Sequence, residues 1–105
     1  LDRAIQLIEQ AVRLRPNSGF FVDSLGWVRY QLGNYQLAVE FLEKATTLEP
    51  EDALIISHLG DAYWQTKRYA EAQFKWRYAA QLADDEDLQA ELQTKLASGL
   101  AATGQ

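Results

Sequence analysis

A constant step of 34 residues organises this chain. Leu25 and Gly26 return as Leu59 and Gly60, Gln31 as Gln65, Tyr35 as Tyr69, Ala38 as Ala72, Ala45 as Ala79 and Leu48 as Leu82. Taken backwards, Ala38, Leu42, Ala45, Leu48 and Pro50 meet Ala4, Ile8, Ala11, Leu14 and Pro16. A fixed period of this size marks stacked supersecondary units, each unable to bury its apolar face alone. The chain is therefore expected to be all-α, an α-solenoid of antiparallel helix pairs.

Six helices follow from the apolar spacing, over about 2–14, 19–32, 35–48, 53–66, 69–82 and 86–101. They group into the second helix of a truncated repeat (1–15), two complete repeats (19–52 and 53–84) and a capping helix (85–102). Pro16-Asn17-Ser18 separates the first two helices and supplies capping side chains. Gly26 and Gly60 sit inside helices, where glycine costs roughly 0.5–1 kcal/mol against alanine. Their recurrence calls for close helix packing, with the small Ala38 and Ala45 opposite Gly26. Gly33 is placed to end its helix in the left-handed conformation. Lys67-Arg68 stands where Gly33-Asn34 would recur. A left-handed lysine costs roughly 1–2 kcal/mol, so a looser or differently shaped turn is expected there.

The acidic run Asp84 to Asp87 suits the positive end of the last helix. That helix sets Leu88, Leu92, Leu96 and Leu100 inward, backed by Ala97, with Gln89, Glu91, Gln93 and Lys95 outward, and Ala101 to Gln105 should fray. A polar outer face is what a helix closing a repeat array requires.

The residues that carry the repeat are Leu25-Gly26, Tyr35, Ala38, Leu42, Ala45 and Pro50, then Leu59-Gly60, Tyr63, Tyr69, Ala72, Trp76 and Ala79. In these the chain resembles the tetratricopeptide repeat (TPR) family over nearly its whole length. The resemblance implies a right-handed superhelix and a non-enzymatic, protein-binding scaffold. The segment Asp23 to Trp27 looks like bacterial members of the family, some of them envelope proteins, so the lean is to bacterial envelope or cytoplasm.

Composition narrows the partners. Of 105 residues, 48% are hydrophobic, enough for a sizeable core, and none is cysteine. Disulfides and thiolate metal sites are thereby excluded. A net charge of −5 argues against nucleic acid, since phosphate binding needs Lys and Arg to displace counterions. No apolar run approaches the roughly 20 residues of a membrane span. No secretion signal opens the chain, which starts at Leu1 inside an amphipathic pattern. The expectation is a piece cut from the C-terminal part of a longer protein.

Chemistry has little to stand on. Ser57, His58 and Asp61 are the ingredients of a nucleophilic triad. On a helix, however, neighbours in sequence point about 100° apart, and a triad is recognised by geometry. The run Asp84 to Asp87 lacks the spaced ligands and glycine turn of a calcium loop. No cofactor or metal is expected, and no enzyme.

Surfaces remain. In the family it resembles, the first helix of each repeat lines a concave groove. The matching residues are Phe20, Asp23, Trp27, Tyr30 and Gln31, then Leu54, Ser57, His58, Asp61, Trp64 and Gln65. Phe20, Trp27 and Tyr30 share one side of their helix. Such a groove suits a peptide with apolar and basic side chains, since aromatics dominate interface energetics and hold cations; the competing reading packs these rings against neighbouring repeats. Asp23 and Trp27 stand where carboxylate-clamp members of the family carry Lys and Asn, so no carboxylate clamp is expected.

A second surface breaks the repeat's own rule. The outward stripes Gln6, Glu9, Gln10, Arg13 and Glu40, Glu43, Lys44, Thr47 become Phe74, Arg77, Tyr78, Gln81 in the fifth helix. Either Phe74 and Tyr78 form a contact site, or that helix rotates and tucks Phe74 under the last one. Finally, the unpaired first helix offers Ile5, Ile8 and Val12 for self-association as a homodimer.

Overall fold

The computed structural model describes residues 2–14 and 18–100. The expectations for Pro16, Asn17, residues 101–105 and the side chains of Ala11, Val12 and Leu14 fall outside the described residues. The described residues form α1 (Asp2–Leu14), α2 (Gly19–Gln31), α3 (Tyr35–Leu48), α4 (Ala53–Gln65), α5 (Tyr69–Leu82) and α6 (Glu86–Ser98). Three helix starts are capped by the side chains that sequence places there. Ser18 Oγ accepts from the Phe21 N–H at 3.5 Å, Asp52 Oδ1 from Ile55 at 3.0 Å and Asp85 Oδ1 from Asp87 at 3.0 Å. Each bond satisfies a backbone donor that has no partner within its helix.

The helices pack as antiparallel pairs. Helix α2 lies against α3 and α4 against α5; α3 joins the pairs through α4, while α1 packs on α2 and α6 on α5. Leu25 and Leu59 are buried, as the period demands. One core cluster runs from α3 to α6 through Leu42, Ile56, Leu59, Trp76 and Leu92. A smaller one joins Val22, Ala45 and Ile55. Burying such side chains contributes about 1.5–3 kcal/mol each, and every one comes from a position at helical spacing.

Close approach explains the two helical glycines, but the partners differ from those expected. A Cβ on Gly26 would stand 2.9 Å from Leu42 Cγ and 3.2 Å from Phe41 Cβ. One on Gly60 would stand 2.6 Å from the Trp76 indole and 3.3 Å from the Ala72 carbonyl oxygen. The side chains of Leu42 and Trp76 come nearest to the space that glycine opens, and at Gly60 the backbone of Ala72, one repeat on from Ala38, stands beside the indole.

The Lys67 turn is not loosened. Lys67 adopts φ 68°, against 84° at Gly33. Both turns close with the same bonds: Gly33 N–H to Tyr30 O at 3.0 Å and Asn34 N–H to Arg29 O at 2.9 Å, then Lys67 N–H to Trp64 O at 3.0 Å and Arg68 N–H to Tyr63 O at 2.8 Å. Side-chain contacts around the next residue hold the strained shape. Arg68 donates to both carboxylate oxygens of Glu71 at 2.8 and 2.6 Å and lies 4.2 Å over the Tyr63 ring. The Tyr63 hydroxyl in turn donates to Glu43 on α3 at 2.6 Å.

Candidate partner-binding face

Helices α2 and α4, expected to be the first helices of their repeats, are in direct contact. Positions one repeat step apart on them are Phe20 and Leu54, Trp27 and Asp61, and Gln31 and Gln65. Phe20 and Leu54 are 56% and 49% exposed, a large apolar pair at the N-terminal ends of both helices. Gln31 is exposed at the other end.

Between these ends the rings form a stack that ties the helices together. Trp27 lies parallel to Tyr30 with centroids 4.5 Å apart, and on its own helix the two are one turn apart. His58 of α4 stacks on Trp27 at 4.0 Å. The His58 Nδ1 meets Asp23 Oδ1 at 2.8 Å, the geometry of a ring N–H donating to a carboxylate. Gln65 donates to the Tyr30 hydroxyl at 3.2 Å, and burial pushes that hydroxyl's pKa up to about 12. Asp23, Trp27, Tyr30, His58 and Gln65 thus form one half-covered seam.

Two expected groove residues are not on the open face. Ser57, 1% exposed, and the buried Asp61 lie beneath Lys95 of α6. The Lys95 ammonium reaches Asp61 Oδ1 at 3.0 Å, its Oδ2 at 3.1 Å and Ser57 Oγ at 3.3 Å. The Trp76 indole N–H of α5 also donates to Asp61 Oδ1, at 3.0 Å. Burial raises the Asp61 carboxyl above the ordinary aspartate value, and Lys95 and Trp76 oppose that rise. Trp64 is also committed: it packs edge-on to Tyr69 at 4.5 Å, against Trp76 at 5.5 Å, and close to Gly99.

The expected outward face of α6 changes with this. Lys95 points inward, and Gln89 donates to the carbonyls of Ala80 and Ala83, the last at 3.0 Å, completing the C-terminal end of α5. A signal for Lys95 was present in the sequence, since Trp27, Asp61 and Lys95 are spaced by the same 34-residue step. Ser57, His58 and Asp61 do not assemble into a triad, because their partners lie apart: Ser57 and Asp61 bond Lys95 of α6, while His58 bonds Asp23 of α2. Among the described residues no three His, Asp or Glu side chains gather as metal ligands, and no helix is long and apolar enough to cross a membrane.

The other two surfaces are placed as follows. Phe74 and Tyr78 are 59% and 37% exposed and Arg77 is exposed, so α5 does not rotate Phe74 under α6. On α1, Ile5 and Ile8 are half-buried, and Leu7 is the exposed large apolar residue.

Residues 26–67 match the family model described as a TPR repeat. No curated protein matches the chain significantly. The fold is TPR-like and is similar to that of SycD, the type III secretion translocator chaperone of Yersinia enterocolitica. One SycD structure gives a TM-score of 0.84 at 20% identity over 92% of this chain and 75% of that one. A second, described as an alternative dimer, gives 0.79 at 23% identity over 94% and 75%. The MamA RS-1 ArsTM double mutant gives 0.71 at 25% identity over 91% of this chain and 64% of that one.

Proposed function

We propose that the chain is a non-enzymatic protein-binding module that holds an apolar segment of a partner on the α2–α4 face. The observation that carries this is the exposure of Phe20 and Leu54, at equivalent repeat positions on two helices joined by the Trp27–Tyr30–His58 stack. The likeness to a secretion chaperone supports a polypeptide as the ligand. Basic side chains on the partner are not called for, because Asp23 and Asp61 already have cationic or N–H partners within the chain.

A photo-crosslinking amino acid at position 20 or 54 tests this in the cell. Adducts with a separate polypeptide at both positions, absent with the same group at Glu40 on α3, are expected. Equal labelling at position 40, or adducts at none of the three, would overturn the reading.

A second reading is self-association through α1. The exposed Leu7 favours it, beside Ile5 and Ile8, and so does the dimer described for SycD.

A further inference from the structure

The exposed stripe of α5 is not part of the α2–α4 face. Ala70, Phe74, Arg77, Tyr78 and Gln81 fall on one face of the helix, and all are exposed. At one turn apart, Phe74 and Tyr78 form a continuous aromatic surface; the equivalent positions on α1 and α3 carry Gln6, Gln10, Glu40 and Lys44. Among the described residues neither ring pairs with another ring, and the Lys75 ammonium lies 5.7 Å from the Phe74 centroid.

The charge of this stripe runs against the molecule. The chain carries 15 acidic and 10 basic residues. Between Glu71 and Asp84, however, α5 carries no carboxylate; Arg77 is exposed on the stripe, and the half-buried Lys75 borders it beside Phe74. Glu71 is taken up by its two bonds from Arg68. A basic, aromatic strip on an acidic protein is complementary to a segment that offers carboxylates beside apolar side chains. Arginine can hold a carboxylate by two bonds, and the aromatic rings supply apolar area.

We propose that α5 is a second docking site, separate from the α2–α4 face, for an acidic amphipathic peptide segment of a partner protein. Its apolar side chains lie along Phe74 and Tyr78, and its carboxylates meet Arg77 and Lys75. Because α5 belongs to the second helix of its pair, a segment bound here leaves Phe20 and Leu54 free for a different ligand.

Selection of a random 12-residue peptide library on the purified protein tests this, with the selected clones rescreened on Phe74→Ser, Arg77→Glu and Phe20→Ser variants. Clones that bind wild type and Phe20→Ser, yet lose at least tenfold in affinity on Phe74→Ser and Arg77→Glu, are expected to be rich in Asp and Glu next to Leu or Phe. Far-ultraviolet melting of the variants should match wild type, since all three side chains are exposed. The proposal is overturned if no clone distinguishes the two α5 variants from wild type. It is overturned equally if the distinguishing clones are neutral or basic, or if Arg77→Glu instead removes a concentration-dependent dimer, which would make the occupant a second copy.

Discussion

Single residues set how closely the helices can approach and how sharply they turn. Lys67 keeps a left-handed backbone that its predecessor in the repeat assigns to glycine. Replacing it removes roughly 1 kcal/mol of steric strain, so Lys67→Gly should be more stable than wild type by about that much, with a midpoint several degrees higher in thermal melting. No gain would mean that the Arg68–Glu71 and Arg68–Tyr63 contacts already relax the turn. Gly60 and Gly26 give the opposite prediction. Overpacking a core costs about 1–3 kcal/mol, and a Cβ at Gly60 meets a wholly buried indole ring that has no room to move. At Gly26 it meets the flexible Leu42 side chain at a longer distance. Denaturant titration should therefore show Gly60→Ala losing more stability than Gly26→Ala, although both gain helix propensity.

Whole elements are joined by buried polar contacts, and α6 depends on one of them. Lys95 and Asp61 are both largely covered, and removing one member of such a pair costs about 3–5 kcal/mol because the other stays charged and buried. Lys95→Met should therefore destabilise the protein at neutral pH, with α6 losing hydrogen-exchange protection before α3 or α4. Titration of the Asp61 carboxyl by NMR should place its pKa above that of an ordinary aspartate, and Lys95→Met should raise it further, since a lost cation favours the neutral form. The sign for stability follows from the raised value. The folded state binds the Asp61 proton at a pH where the unfolded chain has released it. The Asp61 contribution is thus complete below the unfolded value of about 3.9 and declines as pH rises through the folded one. In Lys95→Met this decline should be steeper. A flat profile in wild type would show that Asp61 stays ionised under the ammonium.

At the scale of the molecule, exposed large apolar side chains among the described residues include Phe20 and Leu54 on α2 and α4, Phe74 and Tyr78 on α5, and Leu7 on α1. Light scattering over a range of concentrations checks the last. A mass that rises toward a dimer and returns to the monomer value in Leu7→Glu and Ile8→Glu is the expected outcome if α1 self-associates; a constant monomer mass would remove that reading.

Legibility also differed with scale. All six helices could be read from apolar spacing, because each buries one stripe and the period of that stripe is a local property. The burial of Leu25, Leu59 and Trp76 could be read from the 34-residue step. Among the candidate site residues, Phe20, Leu54, Phe74, Arg77 and Tyr78 lie exposed, and Trp27 and His58 lie between α2 and α4 as part of a stack. Ser57 and Asp61 were misplaced because the helical wheel of α4 shows which face they occupy and not that Lys95 of α6 covers it.

The sequence by itself determined the repeating unit, the helix ends and the inward face of each helix, because these depend on the spacing and chemistry of residues within one turn or one repeat. Only the tertiary structure decided which polar side chains stay open to a partner. That choice depends on where a lysine 34 residues away comes to rest, and on whether the backbone energy of one strained turn is offset by contacts from its neighbours. Such balances belong to the packed assembly of helices and have no counterpart in any single stretch of the chain.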